Sequence, residues 1–124
     1  MPTFWFGVTK NSCTTPSNCA LIATGFAYDY AARKGQLETL GKLLPQVRDI
    51  RRLGAAGVDL SFVAMGVLDG FYEIGLNEWD MAAGGLIATE AGAILSGRNG
   101  APAGKEMTIL AGPTLHAQLV REIG

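Results

Sequence analysis

Two carboxylates in the second half of the chain are the residues best suited to chemistry. Asp80 opens an Ala/Gly-rich helical run, and Glu73 lies one β-type segment earlier. A carboxylate at a helix start can cap the helix by accepting backbone N–H groups, or it can bind a hard cation such as Mg²⁺. Spacing alone favours the cap for Asp80 and a solvated side chain for Glu73.

A run of small residues, Gly54-Ala55-Ala56-Gly57, is the second candidate. At a helix start, small side chains leave backbone N–H groups accessible to an anion. The same quartet is also typical of close helix packing. Arg51 and Arg52 precede it and could attract phosphate, although paired arginines at a strand edge are more often solvated or ion-paired.

The remaining reactive residues favour no further chemistry. His116, the only histidine, falls on the terminal helix, and we expect it on the surface. Cys13 and Cys19 are expected to be free thiols. Trp79 is expected to pack under the helix start and hold Asp80 in place. Neither a Ser/His/Asp triad, nor a Cys/His pair, nor a Walker loop can be assembled from this sequence, which argues against nucleophilic catalysis.

Strands alternate with helices along most of the chain. Apolar runs, separated by Gly and Pro residues that break regular structure, predict strands at 20–26, 49–53, 71–75, 93–95 and 107–111. Helices are predicted at 30–44, 55–68, 80–91 and 114–123. Leu37, Leu40 and Leu44 should form the buried face of the first helix, and Thr114 should cap the last one. The prediction is an α/β fold, a layered sheet covered by helices, with an irregular segment at 1–19, including a short strand around 4–8, and a domain at 20–124.

Composition limits the class of partner. The chain has 124 residues, 48% of them hydrophobic, with a formal net charge of -1. That is enough apolar material for one core, and the charge gives no reason to expect nucleic acid or a membrane as partner. No apolar run reaches the ~18 residues of a membrane span, and the first residues lack a signal-peptide pattern. A cytoplasmic location is expected.

The stretch around the two carboxylates resembles a known family. Asp69-Gly70-Phe71-Tyr72-Glu73, then Trp79-Asp80 followed by Ala-Ala-Gly, then Glu90-Ala91-Gly92, is similar to the second signature of bacterial inositol monophosphatases. These are Mg²⁺-dependent phosphomonoesterases. The resemblance implies that Asp80 is a metal ligand, that Glu73 accepts hydrogen bonds from substrate hydroxyls, and that Gly54, Ala55 and Ala56 lie beside the substrate. Family members commonly carry a hydroxyl residue where this chain has Ala55.

The same resemblance implies that this chain corresponds to the C-terminal half of an α-β-α-β-α fold. The Glu-Glu pair and the Asp-Pro-x-Asp-Gly-Thr motif, which hold most of the family's metal ions, are missing. The implied activity is hydrolysis of inositol 1-phosphate by metal-activated water, with Mg²⁺ as cofactor and a small phosphorylated polyol or sugar as substrate. We expect the isolated chain to hydrolyse little or nothing.

Two other functions stay open at this stage. The first is a phosphatase of the same superfamily that acts on another phosphate ester. Its substrate would be a sugar bisphosphate, histidinol phosphate or a phosphoadenosine nucleotide. The second is a non-catalytic module that forms a homodimer or pairs with a complementing N-terminal half. The nearly apolar helix at 55–68 favours the second, because one of its faces would otherwise be exposed.

Overall fold

The computed structural model describes residues 17–124, so the predictions for residues 1–16, including the short strand at 4–8 and the thiol of Cys13, lie outside it. Within the described range there are five strands and four α-helices, which alternate except that β4 and β5 follow one another with no α-helix between them. The strands are β1 (Leu21–Thr24), β2 (Asp49–Arg51), β3 (Gly70–Glu73), β4 (Ile94–Ser96) and β5 (Thr108–Ala111). The helices are α1 (Tyr30–Leu43), α2 (Ala56–Ala64), α3 (Glu78–Glu90) and α4 (Pro113–Ile123).

The strands form one mixed sheet in the order β2-β1-β3-β5-β4. β1 pairs in parallel with both β2 and β3. β5 runs antiparallel to its two neighbours, β3 and β4. The carboxyl ends of β2, β1 and β3 therefore meet at one edge of the sheet, where ligands bind in open α/β folds.

Alternation along the strands divides the apolar residues between two cores. Ala23, Phe71 and Leu110 face one side, where they pack with Leu60 and Val63 of α2 and with residues of α3. Their neighbours along the strands, Ile22, Tyr72 and Ile109, face the other side. There they pack with Leu43 of α1 and with Leu115 and Leu119 of α4. Because consecutive strand residues point to opposite faces, both sides of the sheet are covered. The predicted α/β architecture is confirmed.

Helices α2 and α3 approach each other closely at a glycine. A side-chain carbon at Gly84 would lie 2.7 Å from Cβ of Leu60 and 3.5 Å from the carbonyl oxygen of Gly57. Both Gly84 and Leu60 are buried. A hydrogen atom at position 84 is thus what allows the two helices to touch, and this contact holds their N-termini side by side.

The predicted buried face of α1 is wrong. Leu37 is 64% exposed and Leu44 is 47% exposed, while the buried residues of the helix are Gln36, Thr39 and Leu43. Gln36 is inside because its amide joins two loops: Oε1 accepts the Ala27 N–H at 3.1 Å, and Nε2 donates to the Ile74 carbonyl at 3.4 Å. The buried face of α1 therefore contains Gln36, with its tertiary hydrogen bonds, and Leu43, whereas Leu37 and Leu44 lie outside it.

Two helix boundaries also differ from prediction. Helix α2 ends at Ala64 rather than at 68, and Gly66 follows with a φ of 76°. Helix α4 begins at Pro113 with Gly112 at the N-cap position and no side-chain cap, so Thr114 is not the cap. The remaining elements match the prediction to within three residues at each end. In the part of the chain described, no helix combines the length and apolar character needed to cross a membrane.

Replacing Gly84 by alanine should destabilise the protein, because the new methyl group would overlap Leu60. We expect a loss of about 1–3 kcal/mol in the free energy of unfolding. Gly41→Ala is the matched control, since nothing lies within 4 Å of a side-chain carbon at this α1 position. The control should gain up to about 1 kcal/mol from helix propensity. Urea unfolding measures both, and equal shifts would contradict the close helix contact.

Candidate functional site

A cleft opens at the carboxyl ends of the parallel strands. Its volume is about 430 Å³. The loops after β1, β2 and β3 and the N-termini of α2 and α3 line it. The site residues expected from the resemblance all line this cleft: Gly54, Ala55, Ala56, Glu73 and Asp80. The fold thus brings together residues that lie as much as 26 positions apart in the sequence.

The N-terminus of α2 presents unblocked backbone to the cleft. Gly54 turns the chain after β2 with a φ of 83°, a conformation that favours glycine. Ala55 occupies the N-cap position, and its methyl side chain makes no capping hydrogen bond. Gly54 and Ala55 are exposed and Ala56 is half-buried. The first N–H groups of the helix therefore remain free to meet an anion.

Asp80 serves as a helix cap in this structure. It lies in the first turn of α3, and its Oδ2 accepts a hydrogen bond from the backbone N–H of Asn77 at 2.9 Å. This is the cap geometry expected from spacing alone. The hydrogen bond fixes the carboxylate at the cleft wall and leaves Oδ1 without a hydrogen-bond partner among the described residues. Capping and metal binding are therefore compatible for this side chain.

Glu73 is partly buried rather than freely solvated. It ends β3 on the same face as Phe71, and its carboxylate lies directly over Gly25, where any side-chain carbon would collide with it. Burial raises the pKa of Glu73 to about 7. That value of about 7 already includes the neighbouring carboxylates of Asp59 and Asp80, which also raise the pKa, and the guanidinium of Arg52, which lowers it. Near neutral pH the side chain can therefore either donate or accept a hydrogen bond.

Asp59 does not line the cleft, but its carboxylate raises the pKa of Glu73, and the sequence analysis missed it. It lies in the first turn of α2, is only 1% exposed, and neither of its carboxylate oxygens has a hydrogen-bond partner within the described range. Burial raises its pKa to about 6, against the opposing attraction of Arg52. One signal in the sequence could have revealed it: Asp59 is the only charged residue in the whole of α2.

The two arginines before the small-residue turn have different surroundings. Arg51 is paired with Asp49 at 2.7 Å on the exposed edge strand. Arg52 lines the cleft and lowers the pKa values of both Asp59 and Glu73. The expectation that such arginines are ion-paired thus holds for Arg51, whereas Arg52 provides positive charge to the cleft.

Two expectations outside the cleft were wrong. Trp79 is 80% exposed and does not pack under the start of α3. His116 is partly buried, and its Nε2 lies 2.7 Å from Oγ of Ser96. Burial lowers the pKa of this histidine. Ser96 and His116 do not line the cleft. Cys19 is a free, exposed thiol as expected.

Comparison with known proteins shows to which family this chain belongs. The model of the inositol monophosphatase family matches residues 3–123. The chain belongs to the inositol monophosphatase family. The match begins well before residue 20, where the resemblance was expected to start.

Inositol monophosphatase relatives are considerably longer than this chain. It is 45% identical over 108 residues to the inositol-1-monophosphatase of Mycobacterium leprae (strain TN), covering 86% of this chain and 37% of that protein. It is 47% identical over 79 residues to the Nus factor SuhB of Escherichia coli (strain K12), covering 61% of this chain and 29% of that protein. The crystal structure of extragenic suppressor protein suhB from Bartonella henselae aligns with a TM-score of 0.80 and 34% identity, covering 87% of this chain and 43% of that one. The fold is thus part of the inositol monophosphatase fold.

The cleft supplies only part of the set of ligands that a Mg²⁺ ion would need. Oδ1 of Asp80 is a hard oxygen ligand of the type that Mg²⁺ prefers. Among residues 17–124, however, no group of three or more His, Cys, Asp or Glu side chains could hold a metal ion. Asp80 would therefore be one ligand of a site whose other ligands lie elsewhere.

Removing the charge of Asp59 should stabilise the folded chain at neutral pH. Its pKa rises from 3.8 unfolded to about 6 folded, so the folded state holds its proton more tightly. Stability is then lost as pH rises from about 4 to 6. Asp59→Asn should raise the free energy of unfolding at pH 7.5 by about 1–3 kcal/mol and change it little at pH 4.

Urea unfolding at both pH values measures this difference. Glu38→Gln, on the exposed side of α1, is the matched control and should behave like the unsubstituted chain at each pH. A variant Asp59→Asn that is destabilised equally at pH 4 and 7.5 would mean that the carboxylate has a partner in the folded protein.

Proposed function

We propose that this chain is the part of a Mg²⁺-dependent phosphomonoesterase that recognises the substrate, and that its substrate is inositol 1-phosphate. One observation supports the proposal above all. Glu73, Asp80 and the turn Gly54–Ala56 line the same cleft at the carboxyl ends of β1, β2 and β3. A cytoplasmic location stays part of the proposal.

Each cleft residue has a role that its surroundings suit. The free N–H groups at the start of α2 would meet the phosphate, and the positive charge of Arg52 would favour it there. The carboxyl group of Glu73 would accept hydrogen bonds from hydroxyls of the polyol ring. Ala55 contributes backbone only, because its methyl group cannot hydrogen-bond.

Asp80 would hold Mg²⁺ through Oδ1 while Oδ2 keeps its hydrogen bond to Asn77. When bound, the cation would supply charge stabilisation for a phosphate ester and its leaving oxygen. The described residues offer Asp80 as one candidate ligand and no group of three or more, so we expect the isolated chain to release little or no phosphate. Activity would require the part of the fold that the longer relatives contain in addition.

A chimera tests this function directly. Residues 20–124 would replace the matching part of the Mycobacterium leprae inositol-1-monophosphatase, and phosphate release from inositol 1-phosphate would be measured with excess Mg²⁺. We expect turnover from the chimera and none from the isolated chain. Asp80→Asn in the chimera should reduce kcat/KM by ~100-fold or more, as for a lost cation ligand.

Glu38→Gln on exposed α1 is the control and should leave turnover unchanged. Retained turnover in the Asp80→Asn chimera would remove Asp80 from the metal site. Comparable turnover by the isolated chain would show that the cleft is catalytically complete. Full activity only towards a sugar bisphosphate, histidinol phosphate or a phosphoadenosine nucleotide would instead favour the alternative substrates.

The pKa of Glu73 makes a second prediction for the chimera. Because this pKa is about 7, the carboxylate that accepts hydroxyl groups becomes fully populated only above pH 7. KM for inositol 1-phosphate should fall between pH 6 and 8 as Glu73 ionises. Glu73→Gln should raise KM at pH 8 and flatten this part of the profile; an unchanged profile would assign the pH dependence to the substrate phosphate.

A non-catalytic role is the second candidate function. Helices α2 and α3 expose large apolar side chains, and some relatives carry the name Nus factor rather than phosphatase. In this role the chain would form a homodimer or pair with a complementing N-terminal half. A chimera that folds but releases no phosphate, together with concentration-dependent association of the isolated chain in sedimentation experiments, would favour it. The absence of nucleic acid among its partners stays a prediction.

A further inference from the structure

A shallow groove lies next to the cleft and shares a wall with it. Its volume is about 380 Å³. Four side chains line it: Phe26 after β1, Arg33 and Leu37 of α1, and Arg52 after β2. Phe26 and Arg52 also line the cleft. The groove therefore combines two guanidinium groups with two apolar side chains and has no carboxylate in its lining, which suits an anionic group.

Arg52 lies at the boundary between the cleft and the groove. Its Nη1 would lie 2.9 Å from a side-chain carbon at Gly54, so the guanidinium is directly beside the turn that leads into α2. The two ion pairs formed within residues 17–124 involve Arg51 and Arg121, so Arg52 has none there. A guanidinium carries five N–H donors in one plane. Arg52 can therefore bind one anionic group at the start of α2 and another in the groove.

Arg33 is held in place on the α1 side of the groove. Its Nε donates a hydrogen bond to the Ala27 carbonyl at 2.9 Å. Its guanidinium carbon lies 4.8 Å from the centre of the Tyr30 ring. The two terminal NH₂ groups have no hydrogen-bond partner among the described residues. Because this side chain is already ordered, binding an anion there costs less conformational entropy than it would for a freely moving arginine.

A phosphate group suits these two arginines, because a guanidinium can donate two parallel hydrogen bonds to phosphate oxygens. Inositol 1-phosphate has one phosphate, and the start of α2 is the place proposed for it. We propose that the groove is a second phosphate subsite, so that the chain binds a polyol carrying two phosphate groups more tightly than inositol 1-phosphate. The second phosphate would lie between Arg33 and Arg52. The inference rests on the proposed function only for the position of the first phosphate.

Equilibrium binding to the full chain tests the subsite without hydrolysis. Inositol 1-phosphate is compared, in the absence of Mg²⁺, with inositol bisphosphates whose second phosphate occupies each other ring position in turn. Titrations followed by NMR of the arginine Nε–H groups give each dissociation constant. We expect at least one bisphosphate to bind ~10-fold more tightly than inositol 1-phosphate and to shift the Nε–H signals of Arg33 and Arg52.

Substitution of Arg33 shows whether the groove causes this preference. Arg33→Gln should remove it, so that the same bisphosphate binds no more tightly than inositol 1-phosphate. Lys34→Gln is the matched control, because it removes one positive charge from the next residue of α1, which is exposed and does not line the groove. This control should keep the preference. If Arg33→Gln does not fold by circular dichroism, Arg33→Lys replaces it; it keeps the charge, loses the planar fork and should reduce the preference.

Equal affinity for inositol 1-phosphate and every bisphosphate, or no measurable binding of any bisphosphate, would overturn the proposal. So would a preference that Lys34→Gln removes as fully as Arg33→Gln, since general attraction between charges would then explain it. Inorganic phosphate, added to the chain with inositol 1-phosphate, is a further arm. If it shifts the Arg33 signal while no bisphosphate gains affinity, the groove binds a separate anion and the substrate assignment is wrong.

The subsite and the proposed phosphatase activity can fail separately. Phosphate release by the chimera without any preference for a bisphosphate would refute the subsite alone. A preference that depends on Arg33, together with a chimera that releases no phosphate, would support the subsite and refute the phosphatase activity.

Discussion

The close contact between α2 and α3 is the constraint on which the candidate site depends. Gly84 lets the backbone of α3 reach Leu60, and the two helices then cover one face of the sheet together. Their N-termini consequently reach the same edge, beside the ends of the parallel strands. The unblocked start of α2 and the carboxylate of Asp80 share one cleft for this reason. Helix packing thus sets the geometry of the site before any ligand is considered.

Charge is distributed unevenly inside this cleft. Glu73 and Asp80 line it with carboxylates, and the buried carboxylate of Asp59 acts on Glu73 from outside the lining, whereas Arg52 supplies the positive charge that affects Asp59 and Glu73. Burial disfavours the ionised forms of Asp59 and Glu73, so protons remain on these side chains at a higher pH than usual. A cation arriving near Asp80 would reverse this balance, since it would stabilise the ionised forms. The site is therefore electrostatically suited to an incoming positive charge.

Much of the fold could be predicted from sequence because the apolar runs and glycine turns are local signals. The strands around Ile22, Phe71 and Ile109 illustrate this. The buried face of α1 could not be predicted, because Gln36 is inside only by virtue of hydrogen bonds to Ala27 and Ile74. The family resemblance indicated five cleft residues, whose roles stay predictions. Asp59 was missed because the one local signal, a single charge in an otherwise uncharged helix, does not show by itself that the carboxylate is buried.

The two edges of the sheet differ in their capacity to recruit another strand. On edge strand β2, the exposed ion pair of Asp49 and Arg51 puts charge beside the free backbone groups and discourages pairing. Edge strand β4 carries no charge, and its Ile94 is exposed. Charge therefore protects the β2 edge, whereas the β4 edge is protected by the shortness of its three-residue strand. A lysine at position 94 would give the β4 edge the same protection by charge that the β2 edge already has.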